Sequence, residues 1–336
     1  MADDVETLSV AEAEDLIRQA LGAIGVPDGS AVSVARALVA AEAEGQVGHG
    51  FSRLADYAAQ VQTGKIRADA RPTCQATGPA ALLIDADNGF AYPALDLAIE
   101  RGVEVARNMG CATMSVTRSH HCGALSVQVD RIARAGLVGM MVANAPAAIA
   151  PWGARTPIYG TNPIAFAAPR PGKPPLVIDL SLSRVARGKV MHAKKSGSPI
   201  PDNWALDAEG NPTTDPEAAL GGSMLPVGGA KGTVLALMVE VLASVMTGAN
   251  TSAEASSFFT ADGPPPGTGQ FLLVMKPHDP GGGAARLERL LGLIEGLEGA
   301  RLPGTRRAAA IAASQREGLR VPAVYLEATR RLAASE

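Results

Sequence analysis

Residues 111–144, CATMSVTRSHHCGALSVQVDRIARAGLVGMMVAN, decide the fold. Cys111 to Val116 is a short apolar run with β-branched residues and reads as a strand. Ala124 to Ala135 returns its apolar residues at helical spacing, and Leu137 to Asn144 is again a short apolar run. A strand, a helix and a second strand at this spacing form the repeating unit of an α/β sheet. The loop before the helix holds Ser119, His120, His121, Cys122 and Gly123, so two of the chain's five histidines are adjacent where strand gives way to helix. Backbone N–H groups converge on an anion at such a position.

The alternation extends both ways. Upstream, Ala81 to Asp85 reads as a strand, Asn88-Gly89 as a turn and Leu95 to Asn108 as a helix. Downstream, Pro163 to Pro169, Leu176 to Leu180 and Gln270 to Lys276 read as strands, and Ala284 to Leu297 as a helix followed by two more. Alternating strands and helices favour parallel pairing, while the short spacing of the later strands also permits antiparallel neighbours.

Before this core, Ser9 and Glu12 form a capping-box pattern ahead of a helix carrying Leu16, Ile17, Ala20 and Leu21. A second helix carries Val32, Ala35, Leu38 and Val39, and a third Leu54, Tyr57, Ala58 and Val61. The expected organisation is a helical unit over 1–75, an α/β core over 76–275 with an inserted loop region at 181–221, and C-terminal helices over 276–336 packing on the N-terminal unit. The inserted region, with Pro199, Pro201 and Pro212, should wrap the surface without a core of its own. The nearly wholly apolar stretch Gly232 to Met246 should be a helix buried on most of its circumference.

At 336 residues, 47% hydrophobic and 19% charged, the composition is that of a globular protein large enough for two or three domains. A net charge of -3 argues against nucleic acid or an anionic membrane as partner, because phosphate binding needs a basic surface. Cys74, Cys111 and Cys122 are odd in number and lack CxxC spacing, so neither a disulfide framework nor a zinc ribbon is read. Asp3, Asp4 and Glu6 stand where a signal peptide would carry basic residues, and a cytoplasmic protein is expected.

Between the second and third helices lies Gly48-His49-Gly50-Phe51-Ser52-Arg53, where an acid/base candidate precedes a cation by four residues. Arg53, at the start of a helix, gains from an anion, and a substrate carboxylate there would place His49 beside the neighbouring carbon. An exposed Arg and a loop His explain the same residues. Adjacent His120, His121 and Cys122 invite a metal, but neighbouring side chains diverge and no second ligand cluster follows, so no metal ligand is assigned. No GxGxxG follows a strand. Pro226 to Gly232 approaches a phosphate loop but has Ala230 and Gly232 around Lys231, which argues against a Walker site and leaves Lys231 as either a phosphate contact or a surface lysine.

Taken together, Gly48 to Arg53, Ser119 to Gly123, Tyr159 to Pro163, Asp179 to Ser183, Arg187-Gly188-Lys189, Ile200 to Asp207, Pro212 to Pro216, Leu225 to Gly232 and Arg301 to Gly304 resemble the malate/L-lactate dehydrogenase family, which lacks a Rossmann fold. That family also contains ureidoglycolate and sulfolactate dehydrogenases and Δ1-piperideine-2-carboxylate/Δ1-pyrroline-2-carboxylate reductases. The resemblance covers about Leu8 to Leu332 and implies an α/β non-Rossmann nicotinamide-binding sheet domain, a homodimer and NAD(P)H, with nearby Arg and Lys leaning to NADPH. It casts His49 as proton donor or acceptor, with His121 as competitor. Arg53 becomes the carboxylate anchor, with Thr161, Gly48 and Lys189 as further substrate positions. His120, His121, Cys122, Gly123, Ala124, Asp179, Leu180, Ser181, Lys231, Arg301, Pro303, Gly304, Arg306 and Arg307 match cofactor-binding positions.

Two departures matter. Many members have Ser where Gly48 stands, and the imine-reducing branch has an Asp near Lys189. Without them His49 lacks a carboxylate relay, which favours a small 2-oxo/2-hydroxy acid as substrate over a cyclic imine. A metal-dependent hydrolase and a non-catalytic ligand-binding protein are the rivals from other classes.

Overall fold

A computed structural model describes residues 4–334; Asp3 lies outside them. The chain opens with β1 (Val5–Leu8), α1 (Val10–Ala23) and α2 (Asp28–Ala43). Two 3-10 turns, Val47–His49 and Phe51–Arg53, lead into α3 (Leu54–Gln62). The capping box forms, with the Ser9 hydroxyl accepting from Glu12 N–H and the Glu12 carboxylate accepting from Ser9 N–H.

Next come β2 (Thr73–Gly78), β3 (Ala81–Asp85), α4 (Ala91–Met109), β4 (Cys111–Ser119), α5 (Leu125–Arg134), β5 (Val138–Ala143), β6 (Ile164–Ala168) and β7 (Leu176–Leu180). Then follow α6 (Arg187–Ser196), β8 (Ala205–Leu206), α7 (Pro216–Gly221), β9 (Ser223–Met224), α8 (Ala230–Glu240) and a π turn over Val241–Val245. The chain closes with β10 (Thr268–Met275), α9 (Pro280–Glu295), α10 (Thr305–Glu317), β11 (Leu319–Pro322) and α11 (Ala323–Ala333).

Seven strands form the central sheet in the order β2-β3-β4-β10-β5-β6-β7. Only β3 and β4 pair in parallel, across the α4 crossover. The other pairs are antiparallel: β10 inserts between β4 and β5 against the direction of both, and the closely spaced β5, β6 and β7 pair in the antiparallel way that their short spacing permits, as do β2 and β3. Strand–helix–strand periodicity fixes the elements but not a partner arriving from far along the chain. Under the sheet, Ile84, Met114, Val116, Val129, Ile132 and Leu272 are buried together. A second core joins Ile17, Leu38 and Tyr57 to Leu319, Val321 and Leu326, and β1 pairs antiparallel with β11.

Two expectations are corrected. Segment 181–221 does have a core: Val185, Val190, Ala193, Ile200, Ala205 and Ala219 are buried with Ile149 and Met224. Its prolines punctuate short elements that still bury an apolar side. The stretch Gly232 to Met246 is not buried around its circumference: Val234, Leu237, Val241 and Val245 are exposed, and only Ala236, Val239 and Ala243 join Val142 and Leu182 inside. An apolar helix with a bare apolar side is suited to cover by another surface. No helix among the described residues is long and apolar enough to cross a membrane.

Candidate functional site

The break after α2 is shaped by Glu42. Its Oε2 accepts from Phe51 N–H at 2.9 Å, and a Cβ on Gly50 would lie 1.9 Å from that oxygen. Only glycine lets the backbone close on the carboxylate, so the turn presents His49 on one side of Gly50 and Arg53 on the other. The signal missed in the sequence is an acidic residue on the buried side of α2, one turn after Leu38. Burial pushes the Glu42 carboxyl up to about 7, against the opposing pull of Phe51 N–H. A carboxyl raised from about 4.5 supports folding below its unfolded value and withdraws that support as pH rises through about 7. Glu42→Gln keeps an acceptor and removes the charge. Relative to wild type, its thermal stability should improve between pH 5 and pH 8 by an amount on the order of 3 kcal/mol; a pH-independent difference in melting temperature would contradict this.

Arg53, the residue before α3, is 4% exposed. Its Nη2 donates to Phe258 O at 2.9 Å, its Nη1 lies 3.2 Å from Asp56, and Cζ stands 4.6 Å from the Phe259 ring centroid. Its Nε is buried without a hydrogen-bond partner. A guanidinium has five N–H donors, so capacity remains for an anion. The strap carrying Phe258 is itself fixed: Lys65 Nζ donates to the carbonyls of Ser257, Thr260 and Asp262.

From the end of β4, His121 reaches the same place. Its ring stacks on His49 with centroids 5.3 Å apart and planes 11° from parallel. Tyr57 Oη lies 2.6 Å from His121 Nδ1 and 2.9 Å from Tyr92 Oη. His49 Nδ1 has no partner. Burial, with the Arg53 charge beside it, lowers His49 to about 4 and also depresses His121. Both imidazoles are therefore neutral near pH 7 in the free protein. His120 points elsewhere, its Nε2 2.7 Å from Gln60 Oε1, and burial holds it near 3. Burial likewise raises the Cys122 thiol to about 12. The adjacent His-His-Cys run thus diverges, and among the described residues no group of three or more His, Cys, Asp or Glu could hold a metal ion.

A cavity of about 1430 Å³ lies over these side chains. Gly48, His49, Arg53, Thr161 and Lys189 line it, as do His121 to Ala124 and Asp179 to Ser181. Of the cofactor candidates, Lys231, Arg301, Pro303, Gly304, Arg306 and Arg307 are not among its lining residues, and His120 stands behind it. Gly304 packs on the Val177 carbonyl, while Arg307 pairs with Glu44 at 2.9 Å and keeps a buried, unpartnered Nη1. Phe258, Asn144 and Ala147 line the cavity without any local signal in the sequence.

A dinucleotide together with a small acid fits this space, since a pocket for one small ligand spans about 300–1,000 Å³. The α5 N-terminus has no side-chain cap at Ala124, and Asp179 Oδ2 accepts from Ser126 N–H at 2.8 Å. The half-buried Asp179 carboxylate at this end suits the hydroxyl groups of a nucleotide.

Residues 8–329 match the family model described as malate/L-lactate dehydrogenase. The chain is 49% identical over 329 residues to a (2R)-3-sulfolactate dehydrogenase (NADP(+)) of Chromohalobacter salexigens, covering 98% of each chain. It is 42% identical to a Δ1-pyrroline-2-carboxylate/Δ1-piperideine-2-carboxylate reductase of Pseudomonas aeruginosa, over 86% of this chain and 88% of the relative. The crystal structure of Δ1-piperideine-2-carboxylate reductase from Pseudomonas syringae superposes with a TM-score of 0.92 at 37% identity, over 97% and 99% of the two chains. This chain belongs to the malate/L-lactate dehydrogenase family.

Proposed function

We propose that the protein catalyses NADPH-linked interconversion of a small 2-oxo acid and its 2-hydroxy acid, of the malate, lactate, sulfolactate or ureidoglycolate type. The observation that carries this reading is the stacked, neutral pair His49 and His121 beside the buried cation Arg53 in one cavity. The NADP-dependent sulfolactate dehydrogenase relative, 49% identical, supports both the acid and the cofactor.

When bound, NADPH supplies the hydride for C2. Arg53 holds the substrate carboxylate and so fixes C2 and its oxygen against the imidazoles. In oxidation His49, neutral above about pH 4, accepts the hydroxyl proton; in reduction its imidazolium returns one. Burial is the larger cause of the low His49 value and the Arg53 charge the second; a carboxylate on Arg53 offsets the second, so substrate binding raises the imidazole. Tyr57, kept as a phenol by burial that raises it to about 12, holds His121 through Nδ1 and keeps the stacked partner in place.

Cyclic-imine reduction is the second reading, favoured by the Pseudomonas relatives. The residues around His49 count against it, because no carboxylate partners its ring and Lys189 lines the cavity without the nearby Asp that the resemblance gives imine reductases. A panel of 2-oxo acids and cyclic imines with NADH and NADPH, followed by nicotinamide absorbance, separates the two. Faster turnover of 2-oxo acids with NADPH is expected, and turnover of Δ1-pyrroline-2-carboxylate alone would reverse the choice.

The exposed apolar stripe Val234, Leu237, Val241 and Val245 supports a homodimer formed through α8 and the π turn. Light scattering should give a dimer that Val241→Lys weakens; a monomeric wild type would rule it out.

A further inference from the structure

Arg187, the first residue of α6, is the other guanidinium lining the cavity, and its position is not explained by the carboxylate anchor. The side chain is partly buried, and its one hydrogen bond is from Nη1 to Ala147 O at 3.3 Å. Among the described residues no Asp or Glu forms a salt bridge with it. The two carboxylates lining the cavity are engaged elsewhere, Asp56 with Arg53 and Asp179 with Ser126 N–H. Lys189, its neighbour, has its Nζ 6.0 Å from the Trp204 ring centroid. A guanidinium withdrawn from water without a carboxylate is costly unless an anion joins it, and burial lowers the Arg187 pKa accordingly.

Arg187 and Arg53 line the same cavity and are linked through the backbone. Ala147, whose carbonyl Arg187 holds, donates its N–H to Ser252 O at 2.9 Å. Ser252 begins the strap whose Phe258 carbonyl accepts from Arg53. Arg53 therefore holds the strap directly and Arg187 holds Ala147, the residue paired with the strap's first position, while Asp179 and Ser126 lie toward the N-terminus of α5.

We propose that Arg187 binds a second anionic group on C3 of the substrate, opposite the carboxylate held by Arg53, and so selects sulfonate- or carboxylate-bearing 2-oxo acids over those with a plain alkyl C3. This rests on the 2-oxo acid reading above. A sulfonate and a carboxylate present the same paired oxygens to a guanidinium, so substrates carrying each distinguish them.

The test compares kcat/KM for 3-sulfopyruvate, oxaloacetate and pyruvate with NADPH in wild type, Arg187→Met and Arg187→Lys. Wild type should prefer one or both dianions over pyruvate, and Arg187→Met should lose roughly 10–100-fold on the preferred dianion, mostly through KM, with pyruvate changed less than about twofold. Arg187→Lys should recover part of the loss. NADPH affinity, read from nicotinamide fluorescence, should not change. An equal loss on all three acids, or a loss of NADPH affinity, would overturn the assignment and make Arg187 a structural or cofactor residue. Melting-temperature shifts by 3-sulfolactate and lactate with NADP+ present provide a readout independent of turnover. A shift specific to 3-sulfolactate that disappears in Arg187→Met supports the assignment even in an enzyme that reduces only cyclic imines. Identical shifts in the two proteins refute it, whereas turnover of imines alone refutes only the 2-oxo acid reading.

Discussion

His49→Ala is expected to lower kcat by about 10²–10⁴-fold and to leave KM within a few-fold, because the imidazole acts on the proton and does not hold the carboxylate. The expected pH dependence follows from burial and Arg53, which hold His49 near 4 in the free protein. For oxidation of a 2-hydroxy acid the base must be neutral. kcat/KM should therefore stay level down to about pH 5 and fall below about 4. For reduction the donor must be protonated, so kcat/KM should decline with rising pH above the same value, while kcat follows the higher value that substrate binding confers. An inflection near 6.5 in wild-type kcat/KM would show a proton donor free of both the burial and the Arg53 charge that depress His49. His121→Ala tests the competing imidazole. A larger loss there, with the His49→Ala profile unshifted, would exchange the two roles.

Arg53→Met should raise KM about 100-fold or more through loss of a charge-assisted hydrogen bond to the carboxylate. A second effect accompanies it. Burial is the larger cause of the low His49, His120 and His121 values and the Arg53 charge the second, so removing Arg53 should move the acid limb of the oxidation profile upward by the smaller, electrostatic share. A lost anchor alone gives the KM change without the shift in pH profile; a merely structural arginine gives neither in a variant that still folds. Arg53→Lys retains the charge and loses the planar fork, and should keep the profile while KM still rises. Unchanged KM in a folded Arg53→Met protein would show that Arg53 does not hold the carboxylate.

The alternation around residues 111–144 was legible because period and length distinguish strand from helix locally. Strand order was not, since β10 joins β4 across about 150 residues of chain, as in the hydrogen bond from Thr268 to Ser119. The apolar stretch from Gly232 to Met246 declared its hydrophobicity, yet composition cannot say whether the protein's own core or another surface covers it.

The same division holds at the cavity. Gly48, His49 and Arg53 could be read together because one turn carries them, and His121 because a strand delivers it to a helix start. Phe258, whose carbonyl fixes Arg53, comes from 205 positions away in a Pro/Gly-rich segment that carries no local sign of its role. Lys231 and the Arg301 to Arg307 stretch resemble cofactor positions by sequence but lie outside the cavity lining, with Arg307 held by Glu44. Gly48 has open space where a Cβ would be, so Gly48→Ser fits without displacing a neighbour and would restore a hydroxyl beside His49.

The proposed reaction moves a hydride between the nicotinamide and C2 of a 2-oxo acid. Reduction of 3-sulfopyruvate or pyruvate with NADPH deuterated on either face of nicotinamide C4, followed by mass spectrometry and proton NMR, tests it directly. One of the two labelled cofactors should give a 2-hydroxy acid carrying deuterium at C2 in every molecule. Product without deuterium from both, or deuterium appearing only in the product of a cyclic imine, would contradict it.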